Sequence, residues 1–196
     1  MTQAAKEIFI IGGPNGAGKT TVSRLLVPES FGGAAYLNAD EIAREISPGD
    51  PESASLAAGR VLIERMRESV RDGLSFALET TCAGKSYIPL LRSCKESGWK
   101  ISLFYFWLPK PEDSIARVAR RVREGGHSIP DEVIYRRFRT GLANMRNLYL
   151  PLADTAAIYD NGCVPRVLIA EKESGDLLRI VDVGRWSKIE ELCLWK

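Results

Sequence analysis

The run Gly13-Pro14-Asn15-Gly16-Ala17-Gly18-Lys19-Thr20 fits the pattern G-x-x-x-x-G-K-[ST] at every position. Glycines at this spacing let successive backbone N–H groups turn inward around a phosphate. A helix opening at Gly18 would add the partial positive charge of its N-terminus. Lys19 would reach the outer phosphates and Thr20 would hold Mg²⁺, with Thr21 completing the binding run. The chemistry implied is binding of a nucleoside triphosphate, with ATP as the expected nucleotide.

Phosphoryl transfer needs further groups: a base for the acceptor hydroxyl, a pocket for the acceptor, and cations over the moving phosphoryl group. Asp40, in Asn38-Ala39-Asp40-Glu41, follows a short apolar run and is a candidate base. It is equally a candidate N-cap for a helix starting at Glu41. Glu79-Thr80-Thr81 closes another apolar run, and a carboxylate followed by hydroxyls suits a polyol or sugar. Glu64, Lys85 and Tyr87 are weaker candidates, each also readable as an ordinary surface residue. Arg117, Arg120, Arg121, Arg123, Arg136, Arg137 and Arg139 flank Glu124-Gly125-Gly126-His127. Two arginine-rich helices around a glycine hinge describe a lid closing over phosphates. His127 is the one histidine of the chain and is expected to stabilise that loop. Asp160-Asn161-Gly162 reads either as a turn or as the segment that passes the nucleobase.

Several function classes are excluded or disfavoured. An N-K-x-D base-reading motif and an L-S-G-G-Q-like signature are both absent. One histidine precludes a multi-histidine metal site, and Cys82, Cys94, Cys163 and Cys193 form no C-x-x-C pair. The cysteines read as reduced thiols. Lys plus Arg number 27 against 25 Asp plus Glu, a net charge of +2, so nothing demands nucleic acid or an anionic membrane as partner. The longest near-apolar run, Ile101–Leu108, is far below the ~20 residues that span a bilayer. No signal-peptide pattern follows Met1, so a soluble cytoplasmic protein is expected.

The elements that must position these groups follow from periodicity. Strands are expected at Ile8–Ile11, Ala34–Asn38, Ser75–Leu78, Ile101–Leu108 and Thr155–Tyr159. Helices are expected at Gly18–Val27, Pro51–Arg71, Ser86–Ser97, Pro111–Glu124, Pro130 to about Leu150, and Arg185–Leu194. Val167–Ala170 and Leu177–Val181 flank Glu173-Ser174-Gly175-Asp176 and read as a β-hairpin. The alternation predicts an α/β kinase-type P-loop fold. Its mostly parallel sheet has five strands with helices on both faces, and the hairpin extends one edge. The 196 residues are expected to form one domain, with the lid at about 111–150 and the hairpin and last helix at about 163–196.

Taken together, Gly12 through Thr21, Asn38-Ala39-Asp40, Glu79-Thr80-Thr81 and the stretch from Arg121 to Arg136-Arg137-Phe138 resemble the zeta-toxin family of P-loop kinases over roughly residues 6 to 162. The resemblance implies transfer of the ATP γ-phosphate to a hydroxyl. It implies Asp40 as base, Lys19 on the phosphates, and Glu79 and Thr81 on the substrate. It places one catalytic arginine at Arg121 or Arg123 and another at Arg136 or Arg137. Family toxins phosphorylate UDP-N-acetylglucosamine and are restrained by an antitoxin protein. The family's basic contact just beyond Glu-x-Thr has no match here, since Lys85 is offset. The alternative from another class is an ATP-hydrolysing switch acting through a protein partner, with Asp160 as its Mg²⁺-site acid.

Overall fold

Along β1 (Glu7–Gly12) alternate side chains feed two different cores. Ile8 and Ile10 join one buried cluster, while Phe9 and Ile11 join the other. That is the mark of a strand covered on both faces. A computed structural model describes residues 6–23, 34–126 and 128–194. His127, Trp195 and the expected helix beyond residue 23 lie outside the described residues.

The sheet has seven strands in the order β2-β3-β1-β4-β5-β6-β7. They are β1, β2 (Ala35–Asn38), β3 (Phe76–Thr80), β4 (Lys100–Trp107), β5 (Thr155–Asp160), β6 (Val167–Lys172) and β7 (Arg179–Ile180). The first five pair in parallel; β5–β6 and β6–β7 are antiparallel. This is the expected five-stranded parallel sheet with a hairpin on one edge.

Helix α1 opens the phosphate loop's far side and is described over residues 19–23. Helix α2 (Ala39–Ile46) starts two residues earlier than expected, because Asn38 is its N-cap and accepts from the Asp40 N–H at 2.8 Å. Asp40 is therefore not the cap but sits in the first turn, where a carboxylate faces the positive helix end. Helix α3 (Ser55–Asp72) starts later than Pro51, after a turn closed by Ala54 N–H on the Pro51 carbonyl. It buries Ala58, Leu62 and Met66, one face of successive turns, and stops at Gly73 in the left-handed region. β3 runs to Thr80, so Glu79 lies within the strand rather than after it.

Helices α4 (Ile88–Glu96) and α5 (Pro111–Arg123) follow, the latter with Pro at its start, acids in the first turn and arginines in the last. The single helix expected from Pro130 to Leu150 is broken. Helix α6 (Asp131–Asn144) passes into a π-helical turn, Met145–Tyr149, and then the short α7 (Leu150–Leu152). The break serves a strap: Asn144 Nδ2 donates to the Cys82 and Ala83 carbonyls at 2.9 and 3.0 Å, and Tyr149 OH to the Gly84 carbonyl at 2.8 Å. Gly141 permits the approach, since a Cβ there would lie 2.2 Å from the Thr81 carbonyl oxygen. The segment after β3 is thereby fixed. Helix α8 (Val183–Leu194) returns Trp186 and Ile189 to the larger core. A small cluster of Val118, Ile129 and Ile134 holds α5 and α6 together. Among the described residues, no helix is long and apolar enough to cross a membrane.

Candidate active site

β1 delivers the chain into the phosphate loop, and the loop closes on its own backbone. The Ala17 N–H donates to the Pro14 carbonyl at 3.2 Å, and Lys19 Nζ donates to the Gly13 and Pro14 carbonyls at 2.8 and 2.9 Å. Gly13 has φ +145°, and a Cβ there would sit 2.4 Å from the Phe106 carbonyl oxygen on β4. Only glycine fits that approach. A belt from distant segments braces the loop. Ser114 Oγ donates to the Asn15 carbonyl at 2.6 Å, Asn161 Nδ2 to the Ala17 carbonyl at 2.7 Å, and Arg117 to the Asn161 carbonyl at 2.9 Å. Asn161 thus serves the loop from behind, which its turn-like sequence did not disclose.

Beside the loop, Thr20 Oγ1 lies 3.1 Å from each oxygen of the Glu79 carboxylate. The Tyr36 hydroxyl also donates to Glu79 and accepts from Asn38 Nδ2 at 3.2 Å. Burial and the neighbouring Glu79 charge both push the Tyr36 phenol well above its ordinary value, so it remains a proton donor. Burial pulls the Lys19 ammonium below its ordinary value, while Glu79 and Asp40 pull the other way. Arg121 adds its own downward push. Those effects place Asp40, Glu79 and Arg121 each within electrostatic reach of Lys19.

Two cavities meet at this point. One, of about 660 Å³, runs along the loop and is walled by Asn15, Gly16, Gly18, Thr20 and Thr21 with Arg117, Arg120 and Arg121 of α5 and the Gly125-Gly126 hinge. The other, of about 220 Å³, lies between β3, α2 and α6 and is walled by Thr80, Thr81, Tyr87 and Arg137 with Pro51, Glu52 and Ser55. Lys19, Asn38, Asp40 and Glu79 belong to both walls. A group bound in one cavity faces a group bound in the other across this shared partition.

The lid pairs left open by the sequence separate here. Arg121 lines the loop-side cavity and Arg123 is exposed. The Nε and Nη2 of Arg121 are buried without a hydrogen-bond partner, which leaves donors for an anion. Arg137 lines the smaller cavity, whereas Arg136 is exposed. Tyr87 lines the smaller cavity too; Lys85 is exposed and outside both walls. Glu64 is exposed on α3 beside Arg67, as a solvated face residue would be. Asp160 is buried and committed elsewhere, accepting from Arg185 at 2.8 Å and from the Gly162 N–H at 2.8 Å. Cys82, held at φ +59°, packs beneath Gly12, and burial pushes its thiol up to about 12.

A family model described as Zeta toxin matches residues 1–168. The chain belongs to the zeta-toxin family. An uncharacterized protein of Haemophilus influenzae is 32% identical over 136 residues, covering 68% of this zeta-toxin family chain and 92% of that protein. Among solved structures, the AvrRxo1-ORF1:-ORF2 complex with ATP superimposes with a TM-score of 0.73 at 18% identity, covering 97% of this chain and 65% of that one. A chain of the PezAT chromosomal toxin–antitoxin system of Streptococcus pneumoniae gives a TM-score of 0.62 at 20% identity, covering 85% of this chain and 72% of that one. The chain thus spans 65% of the AvrRxo1 chain's length. At these identities the two structures establish a shared P-loop kinase-like fold.

Proposed function

We propose that this zeta-toxin family member transfers the γ-phosphoryl group of ATP to a hydroxyl of a small-molecule acceptor. The observation that carries the reading is the partition of Lys19, Asp40 and Glu79 shared by the loop-side and acceptor-side cavities. Asp40 takes the proton of the acceptor hydroxyl. The acceptor oxygen bonds to the γ-phosphorus as its bond to the β–γ bridging oxygen breaks, and ADP leaves. Lys19, the loop amides and Arg121 stabilise the charge on the transferring group. Glu79 and Thr81 border the acceptor, and Arg137 takes the second lid role.

The side-by-side Thr20 hydroxyl and Glu79 carboxylate suit a hard cation bound jointly with phosphates. No group of three or more acidic, histidine or cysteine side chains among the described residues would build an all-protein cage. Mg²⁺ fits this donor set, and when bound it neutralises charge on the phosphates.

The acceptor cavity of about 220 Å³ is smaller than the ~300–1,000 Å³ common for whole drug-sized ligands. It suits a sugar-sized moiety, consistent with a UDP-N-acetyl sugar whose nucleotide lies outside it. An antitoxin partner and a cytoplasmic setting belong to the same reading. The switch alternative is less favoured, because Asp160 is paired with Arg185 and is absent from the wall of the cavity that contains Thr20. Incubating the protein with γ-labelled ATP, Mg²⁺ and a panel of nucleotide sugars, free sugars and nucleosides tests the proposal. Label is expected in an acceptor of the sugar class. ATP consumption that no acceptor accelerates would contradict it.

A further inference from the structure

The Tyr36 hydroxyl is a meeting point that neither the base nor the phosphate loop accounts for. A phenol has one proton to give and lone pairs to accept with. Here the proton goes to Glu79, because an ionised carboxylate only accepts. Asn38 Nδ2 fills an acceptor site at 3.2 Å. The other end of the same Asn38 amide caps α2 by accepting from the Asp40 N–H at 2.8 Å. The Glu79 carboxylate also meets Thr20 Oγ1, at 3.1 Å from each of its oxygens. A continuous chain therefore runs from the Asp40 backbone through Asn38, Tyr36 and Glu79 to Thr20. Asn38 and Glu79, which hold the two ends of the chain to Tyr36, are buried, while Tyr36 itself is half-buried.

We propose that Tyr36 is a positioning residue which sets the Glu79 carboxylate beside Thr20 for the divalent cation and, through Asn38, holds the helix carrying Asp40 in register with it. The inference rests on the reading of Thr20 and Glu79 as the cation-side pair and of Asp40 as the base. Tyr36 itself touches no reacting atom. Its removal leaves Glu79 held, among the described residues, by Thr20 alone and leaves the Asn38 Nδ2 donor without its partner. Orienting partners of this kind are worth about 10–100-fold in metal affinity or turnover.

The test compares Tyr36→Phe and Asn38→Ser with wild type. Serine keeps a helix cap for Asp40 but removes the donor to Tyr36. Mn²⁺ binding to the protein–ATP complex, read by electron paramagnetic resonance, reports the cation side without requiring turnover. Tyr36→Phe is expected to weaken Mn²⁺ binding by about tenfold or more and to lower kcat with little change in acceptor KM. Asn38→Ser is expected to bind Mn²⁺ as wild type does while losing kcat. Wild-type Mn²⁺ affinity in Tyr36→Phe would overturn the proposal, and so would wild-type kcat in Asn38→Ser. If the wild-type protein transfers no phosphoryl group, the failure falls on the proposed function; the Mn²⁺ arm still decides the Tyr36–Glu79 link. If Tyr36→Phe does not fold, Asn38→Ser decides the link to Asp40.

Discussion

The phosphate cradle draws its groups from one stretch between Gly13 and Thr20, mostly from the backbone, whereas the wall facing it draws side chains from β2, α2, β3 and α6. In the cradle, each residue is constrained by what its main chain must do. A methyl group on Gly13 would meet the Phe106 carbonyl at 2.4 Å. On the opposite wall, Asn38, Asp40, Glu79, Thr81, Tyr87 and Arg137 come from separate elements, and it is their side chains that line the cavity. A backbone-built cradle suits the phosphates that every nucleoside triphosphate shares. A side-chain wall is free to specialise for one acceptor without disturbing the cradle.

Lys19→Ala probes the cradle side and should have the largest effect on nucleotide binding. It removes a buried cation, and charge-stabilising donors of this kind are worth on the order of a hundredfold to a thousandfold. Both ATP affinity and transfer should fall, as measured by calorimetry and labelled-phosphate assay. Unchanged ATP affinity would remove the distinction between the two walls.

Arg137→Ala and Arg136→Ala sharpen the comparison from the acceptor side. Arg137 lines the acceptor cavity and Arg136 is exposed. Loss of a hydrogen-bonding charge should raise acceptor KM by roughly tenfold or more for Arg137→Ala and leave ATP KM alone. Arg136→Ala should match wild type in both constants. Equal effects of the two would show that the lid acts only as a diffuse positive field.

The smallest effect comes from a charge pair remote from both walls. Lys95 Nζ donates to Asp154 at 2.9 Å, joining α4 to the start of β5. Partial burial pushes the Asp154 carboxyl up, but the Lys95 bond and the Ile101 N–H outweigh it and hold it below its ordinary value. The stabilisation is present above the unfolded carboxylate range, near 3.8, and is lost as pH falls through the folded value. Solvent screening limits Asp154→Asn to roughly 0.5–1 kcal/mol at neutral pH. Thermal melts should show a gap between variant and wild type at pH 7 that closes toward pH 3, with kinetic constants unchanged. A gap that does not narrow at all as pH falls below 3.8 would assign the loss to packing instead.

The same contrast explains what was legible in the sequence. The cradle is local, so its glycines and Lys19 stand out as a motif, and strand–helix alternation fixes the parallel sheet. The C-terminal hairpin is legible because Gly175 supplies the left-handed turn residue between two apolar runs. Tyr36 was invisible as a functional candidate, because its partner Glu79 is 43 residues away and only the β2–β3 pairing brings them together. Asn161 and Ser114 brace the loop across still larger separations, 144 and 99 residues, and carry no periodic signal. The break of α6 into a π turn is set by tertiary bonds from Asn144 and Tyr149, which periodicity does not encode. Choosing Arg121 over Arg123 needed the helix phase against the loop. Asn38 rather than Asp40 as cap was the one local feature open to reading, since Asn is itself a strong N-cap residue.

The central claim is that Asp40 is the proton acceptor at the partition between nucleotide and acceptor. Labelled phosphoryl transfer by wild type and Asp40→Asn, with ATP affinity measured in parallel on the same preparations, tests it most directly. The account predicts that transfer falls by about a hundredfold to ten-thousandfold, the usual worth of a general base, while ATP affinity stays at the wild-type level. Undiminished transfer by Asp40→Asn would contradict it.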